Sequence, residues 1–324
     1  MKPSVISLFS GCGGLDLGFI KAGFEILFAN DIDKEACESY ERNIGKHIVC
    51  QDIHKINTKK IPNADILIGG FPCLGFTIAN GKNRNLNSAY NALYLEYARV
   101  LNDKQPKYFL VENVAGIQSG KVFKENFCEK ILPKFQDCGY DIKYTILNSS
   151  SFFVPQNRKR VIIVGKRKDI EKEINFPCIQ NGALKTLKDA IFDLPNDYNE
   201  NIPNHTGSKH KININGYIGN RILCWDKPAP TITGRGSRGG GAVIHPHPNL
   251  HRRLSIRECA RIQSFPDDFI FCGSNGAAYA QIGNAVPPLM SFFIANEFRK
   301  VFDLNPIKVA KKDWDLPYIN SLEK

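Results

Sequence analysis

Short apolar runs alternate with amphipathic stretches through the first half of the chain, and each run has the length of a strand. Residues 4–9, 25–29, 47–50, 64–68, 107–111, 143–147 and 161–164 are rich in β-branched and apolar side chains and end in polar residues or glycine. The intervening stretches, the first running to about Ala22, carry apolar residues at helical spacing. Alternation of this kind predicts a doubly wound parallel α/β sheet of about seven strands.

After residue 168 the texture changes: Asn, Pro, Gly and His dominate, and Arg235-Gly236-Ser237-Arg238-Gly239-Gly240-Gly241 reads as a flexible basic loop. Helical periodicity returns over 255–263 and again after Pro288. A poorly ordered insertion is one reading of 170–250. A small second domain is the better one, because Trp225, Ile232, Val243 and Ile244 supply core material. The expected division is a first domain over 1–168, a smaller, irregular, mainly β unit over 169–275, and a segment over 276–324 that returns to the first domain.

The ends of the strands carry the candidate chemistry. Asp31, Asp52, Cys73 and Glu112 each stand just beyond a predicted strand's carboxyl end, the edge where open α/β sheets bind ligands. Gly11-Cys12-Gly13-Gly14 follows the first strand, a tight turn that lets backbone approach a ligand at a helix N-terminus. A nicotinamide fingerprint would want glycine where Asp16 stands, which disfavours a dinucleotide oxidoreductase. Asp31 is placed to take ribose hydroxyls, and Asp52 to accept from an adenine amine. Together they describe an adenosine pocket that suits S-adenosylmethionine. Taken singly, each carboxylate could equally be a helix N-cap, and a lone cysteine is more often an inert buried hydrophobe.

Composition narrows the classes. The 324 residues include 43% apolar side chains, enough for a large core, and a net charge of +11 favours a polyanionic partner such as nucleic acid. The ten cysteines lie singly, with no CxxC pair, so they are read as reduced thiols. No metal site is expected: His245, His247 and His251 cluster, but no cysteine stands beside them at finger spacing. Met1-Lys2-Pro3 runs straight into a strand, with no secretory leader expected and no apolar run long enough to span a bilayer.

Six segments carry a family resemblance. They are Phe9-Ser10-Gly11-Cys12-Gly13-Gly14-Leu15, Phe71-Pro72-Cys73, Glu112-Asn113-Val114, Gln156-Asn157-Arg158-Lys159-Arg160, the run from Arg253-Leu254-Ser255 to Ser264-Phe265-Pro266, and Gln281-Ile282-Gly283-Asn284-Ala285-Val286-Pro287. In this order, between residue 4 and about residue 300, they resemble the cytosine-5 DNA methyltransferases of bacterial restriction–modification systems. The resemblance implies the Rossmann-like fold of S-adenosylmethionine-dependent methyltransferases, with 169–275 as the target-recognition domain.

It also implies roles. Cys73 would add to C6 of cytosine, because C5 is a poor nucleophile until a soft thiolate attacks the ring. Glu112 would act at N3 and Arg160 at O2, with Arg158 supporting the active-site loop. The cofactor residues implied are Phe9, Gly11, Gly13, Gly14, Leu15, Asp31, Ile32, Asp52, Ile53, Pro72, Leu93, Asn284 and Ala285. The target carbon is buried in stacked DNA, so the base must be flipped out and a second domain must grip the duplex. The stretch Trp225-Asp226-Lys227-Pro228-Ala229-Pro230-Thr231-Ile232-Thr233 resembles the core of such recognition regions. Arg235 and Arg238 would contact DNA, either at guanine edges or at phosphates.

The implied partners are double-stranded DNA and a cognate restriction endonuclease acting on the same site, with no membrane. One active site per chain favours a monomer in a bacterial cytoplasm, associated with the nucleoid through DNA. Two departures concern loop detail: Leu74 stands where the family usually has Gln, and Tyr90-Asn91 stands where an Arg-Gly pair is common. A tRNA cytosine-5 methyltransferase on the same scaffold is the nearest alternative, and a non-catalytic DNA-binding relic is a second.

Overall fold

The computed structural model describes residues 2–72, 92–118, 127–178, 182–209, 211–212, 214–215, 220–234 and 244–319. A seven-stranded sheet forms its centre. In chain order the elements are β1 Ser4–Leu8, α1 Gly14–Lys21, β2 Glu25–Asp31, α2 Lys34–Asn43, β3 Ile48–Cys50, β4 Ile66–Gly69 and α3 Leu93–Lys104. Then come β5 Tyr108–Val114, α4 Leu132–Asp137, β6 Tyr140–Asn148, β7 Gln156–Asn157, β8 Lys159–Arg167 and α5 Leu187–Ile191. The last are β9 Ala229–Pro230, α6 Ile256–Ile262, α7 Asn275–Asn284 and α8 Pro288–Val301.

The large sheet has the order β3-β2-β1-β4-β5-β8-β6, and β7 pairs with β9 apart from it. Successive side chains of a strand point to opposite faces, and here both faces are covered. Val5, Ile66, Ile68, Leu110, Ile162 and Val164 join Leu15, Phe19, Leu289 and Phe298 of α1 and α8 in one apolar cluster. Ile6, Leu8, Leu67, Phe109, Val111 and Ile163 join Tyr97, Leu101 and Phe135 of α3 and α4 in the other. Burial on both sides is why the strands read as continuous apolar runs rather than as alternating ones.

The expected parallel sheet needs one correction. β3, β2, β1, β4 and β5 pair in parallel, but β8 runs antiparallel to both β5 and β6. The connection from Asn148 to Lys159 is too short for the crossover that a parallel return requires. The reversal has a chemical consequence, since it puts the first residues of β8 at the same edge as the carboxyl end of β5.

Local signals set the helix ends. Asp33 caps α2 by accepting from the Ala36 N–H at 3.0 Å, and Ser255 with Glu258 forms a capping box on α6, devices worth about 1 kcal/mol each. The described part of 169–275 is more irregular than mainly β: β9, isolated bridges at Gly207–Ser255 and Pro246–Arg253, α5 and α6. Its buried Leu187, Leu223, Ile232, Ile244 and Leu254 belong to the same apolar cluster as α1 and α8. No helix among the described residues is long and apolar enough to cross a membrane.

Candidate active site

Three residues of the turn after β1 take left-handed backbone conformations. Phe9, Gly11 and Gly13 have φ of 55°, 55° and 93°, and Gly13 N–H donates to the Ser10 carbonyl at 2.9 Å. Gly14 opens α1 where the returning chain passes closest: a Cβ there would lie 2.4 Å from the Val286 carbonyl oxygen and 3.0 Å from Ala285 Cβ. Only glycine allows that approach, so the 284–287 segment sits directly beside the first glycine turn.

Asp31 ends β2 and turns back toward this loop. Its Oδ2 accepts from Gly11 N–H at 2.7 Å and its Oδ1 from Asp33 N–H at 2.9 Å. Burial pushes its carboxyl up, and those two amides oppose the shift. Each oxygen keeps a second lone pair for a ligand hydroxyl. Ile32 beside it is 70% exposed, an apolar surface at the sheet edge. Asp52 caps the short helix Ile53–Lys55, accepting from His54 N–H and Nδ1 at 3.0 and 2.8 Å, both at Oδ1; these bonds hold its carboxyl low. Asp52 is thus a helix cap through Oδ1. Leu15 and Ile53 are buried, and Leu93 starts α3 half-buried against the second cluster. An apolar surface flanked by two carboxylates, over a turn with glycine at 11, 13 and 14, fits an adenosine-bearing cofactor.

At the neighbouring strand end, Glu112 on β5 and Arg160 on β8 form an ion pair, Oε1 to Nε, at 2.7 Å. Val114 pairs with Arg160 and Glu112 with Ile162, so the two groups are diagonal neighbours on one face. Their side chains are only 10% and 11% exposed. Burial lowers the Arg160 pKa, and Glu112 opposes that. Asn113 Nδ2 donates to the Phe71 carbonyl at 3.2 Å, tethering β5 to the Phe71-Pro72 loop that leads to Cys73. Phe71 is buried and Pro72 exposed.

Arg158 lies just behind and is 1% exposed. Its guanidinium donates to the carbonyls of Ile232 at 2.9 Å, Gly283 at 2.8 Å and Ala285 at 3.0 Å. Burial pulls its pKa well down, and Arg160 adds to that. It therefore ties β8's approach to the 231–233 stretch and to the cofactor-side loop. Asn284 meets that stretch too: a Cβ on Gly234 would fall 1.8 Å from Asn284 Oδ1.

Sequence reasoning left two partners of this staple unassigned. Gln156 accepts from Ile232 N–H at 2.9 Å and donates to Gln263 Oε1, while Gln263 donates to the carbonyls of Ile282 at 2.9 Å and Ala285 at 2.8 Å. Both lay within quoted motifs, but their meeting across 107 positions has no sequence signal. Asp16, noted only as the glycine that is missing, is wholly buried beneath the turn. Cys73, Leu74, Tyr90, Asn91, Arg235 and Arg238 lie outside the described residues. Among the described residues no group of three His, Cys, Asp or Glu could hold a metal ion. His245 and His247 are buried, the latter edge-on to Trp225.

Comparison with known proteins places the chain in a family. Residues 3–300 match the model of the C-5 cytosine-specific DNA methylase family. Type II methyltransferase M.NgoPII of Neisseria gonorrhoeae is 37% identical over 333 residues, covering 92% of this chain and 96% of that one. Type II methyltransferase M.FnuDI of Fusobacterium nucleatum is 38% identical over 332 residues, covering 91% and 94%. Among solved structures, the Entamoeba histolytica methyltransferase EhMeth superposes with a TM-score of 0.69 at 20% identity, covering 94% of this chain and 98% of that one; this likeness concerns the fold alone.

Proposed function

Since the chain belongs to the C-5 cytosine-specific DNA methylase family, we propose that Cys73, Glu112, Arg158 and Arg160 carry out its reaction and that the Gly11–Gly14 edge holds its cofactor. The protein is a DNA (cytosine-5-)-methyltransferase that uses S-adenosylmethionine. When bound, the cofactor supplies an electrophilic methyl carbon. Phe9, Gly11, Gly13, Gly14 and Leu15 would cradle it, with Asp31 on the ribose, Ile32, Asp52 and Ile53 at the adenine, and Pro72, Leu93, Asn284 and Ala285 closing the site.

The observation that carries the catalytic reading is the buried pairing of Glu112 with Arg160 at the carboxyl edge. N3 and O2 are neighbouring positions on one edge of cytosine, and two neighbouring groups of these types match them. In the reaction the Cys73 thiolate adds to C6 and pushes electron density toward N3 and O2. Glu112 acts at N3 and Arg160 donates to O2, so charge is stabilised where it develops. C5 would then take the methyl group, whose bonding pair stays on the cofactor sulfur. Solvent would take the C5 proton, and the electrons of that C–H bond would restore the ring double bond and expel the Cys73 thiolate. Arg158 holds the start of β8 against the 231–233 stretch and the cofactor-side segment through its three carbonyl contacts.

The substrate is double-stranded DNA with the target base flipped into this pocket. Residues 169–275 serve as the target-recognition domain, with Arg235 and Arg238 on the DNA, and 276–324 completes the catalytic domain. A net charge of +11 supports a long polyanionic partner. A monomer in a bacterial cytoplasm, with a cognate endonuclease reading the same site, is the arrangement we propose. Labelled methyl transfer to duplex DNA, and none to tRNA, is the expected result; transfer to tRNA alone would overturn this reading.

A further inference from the structure

Asp16 is a buried carboxylate that the mechanism above does not use. It stands in the first turn of α1, wholly shielded from solvent. Its Oδ1 accepts from Ser7 Oγ at 2.7 Å, and its Oδ2 accepts from the Tyr40 hydroxyl, also at 2.7 Å. Because Tyr40 spends its proton on Asp16, the tyrosine oxygen can only accept from His47 Nε2, 3.0 Å away and half-buried. On the other side the chain of bonds runs to the cofactor edge. Ser10 Oγ donates to Ser7 Oγ at 2.9 Å and accepts from Asn30 N–H at 3.3 Å, while the Ser10 carbonyl takes Gly13 N–H at 2.9 Å. Asn30 in turn donates through Nδ2 to the carbonyls of Val49 and Gln51, fixing the end of β2 to β3. Tyr40 also floors the turn: a Cβ on Gly13 would lie 2.9 Å from its ring.

We propose that Asp16 is a positioning residue for the cofactor: its ionised carboxylate, acting through Ser7, Ser10 and Tyr40, holds the glycine turn and the Asp31 strand end in their binding geometry, with His47 as its link to solvent. The proposal rests on the assignment of this edge to S-adenosylmethionine. An ionised carboxylate is an acceptor at both oxygens, which is what Ser7 and Tyr40 require. Protonation turns one oxygen into a donor, so the hydroxyl bonded there must accept instead, the bonds beyond it to Ser10 or to His47 must reverse or break, and the strut beneath the turn slackens. Burial pushes the Asp16 carboxyl up to about 6, against the pull of Ser7 and Tyr40, so this change falls within an accessible pH range. Facing it are Asp31 from β2, which raises it further, Cys12 from the turn, Tyr40 from α2, and His47 through Tyr40.

The test is calorimetric binding of S-adenosylmethionine to the full chain from pH 5 to pH 8. Affinity of the parent should fall as pH drops through about 6. Asp16→Asn, which cannot accept at both oxygens, should bind about tenfold more weakly at pH 8, the worth of one charge-assisted hydrogen bond, and show no step near that pH. Its thermal unfolding at pH 8 should come no earlier than the parent's, because an ionised buried group has been removed. A residue with a merely structural role would instead lose stability and affinity together. Tyr40→Phe, which keeps the ring but not the donor, should show part of the same loss should Asp16→Asn not fold. Parent-like affinity of Asp16→Asn at pH 8 overturns the proposal, and so does a pH step that persists in that variant, which would belong to Asp31. Asp31→Ala tests the cofactor edge separately: unchanged binding there would remove the premise and not the strut.

Discussion

The guanidinium of Arg160 meets the carboxylate of Glu112 at 2.7 Å across the antiparallel pair of β5 and β8, with both side chains nearly out of solvent. The pair exists because β8 starts where β5 ends. A parallel β8 would have carried Arg160 to the far edge of the sheet. Removing the acid while keeping its shape is therefore informative. Glu112→Gln should lower the methyl-transfer rate about 10²–10⁴-fold in single-turnover assays. Its unfolding transition should stay cooperative. A rate within threefold of the parent would remove Glu112 from the mechanism.

Arg158 plays a different part, since its three acceptors are backbone carbonyls of Ile232, Gly283 and Ala285. Arg158→Met leaves these buried oxygens without their donor and should cost about 3 kcal/mol in urea unfolding. Cofactor affinity should fall as well, because the 283–285 segment lies against Gly14. Arg158→Lys reaches fewer of the carbonyls and should lie in between. Unchanged stability in the Met variant would show that the staple carries little.

Gly14→Ala tests the closeness of the returning segment. The added methyl would meet the Val286 carbonyl 2.4 Å away and Ala285 Cβ at 3.0 Å, so backbone must move. Overpacking of this kind costs about 1–3 kcal/mol, and S-adenosylmethionine binding should weaken with it. Parent-like binding and melting would contradict the contact.

Two buried groups give stability opposite pH dependences. Asp16 is raised to about 6 by burial, so the folded state holds its proton more tightly; that contribution is present below about 4 and lost as pH rises to about 6. His245 is lowered to about 4, by burial first and then by Arg221, so its contribution is full above about 6.5 and lost as pH falls toward 4. Denaturant titrations should show Asp16→Asn gaining up to about 3 kcal/mol on the parent between pH 4 and pH 6. His245→Gln should be favoured over the same window as pH falls. Parallel curves for parent and both variants would refute the assignment.

The strands were legible because burial on both faces leaves an uninterrupted apolar run, as in residues 108–111 and 161–164. Their carboxyl-end polar residues were legible for the same reason: the run ends where the ligand edge begins. Strand direction was not, since antiparallel β8 is as apolar as its parallel neighbours and only the short connection before it reveals the reversal. The helix over 256–262 was announced by Ser255 and Glu258, a local signal. Gln156 and Gln263 were not announced, because their role is the distant partner each one finds. Asp16 was visible only as a break in a glycine pattern; the strut it forms with Ser7 and Tyr40 needs three elements folded together.

The central claim is a temporary covalent bond between Cys73 and the base. Duplex DNA carrying 5-fluorocytosine at the target blocks the proton loss that frees the enzyme, so incubation with S-adenosylmethionine should give a stable protein–DNA complex. Peptide mapping should place the link on Cys73, and Cys73→Ser should form none. A link on another residue, or an equal yield from Cys73→Ser, would contradict the account.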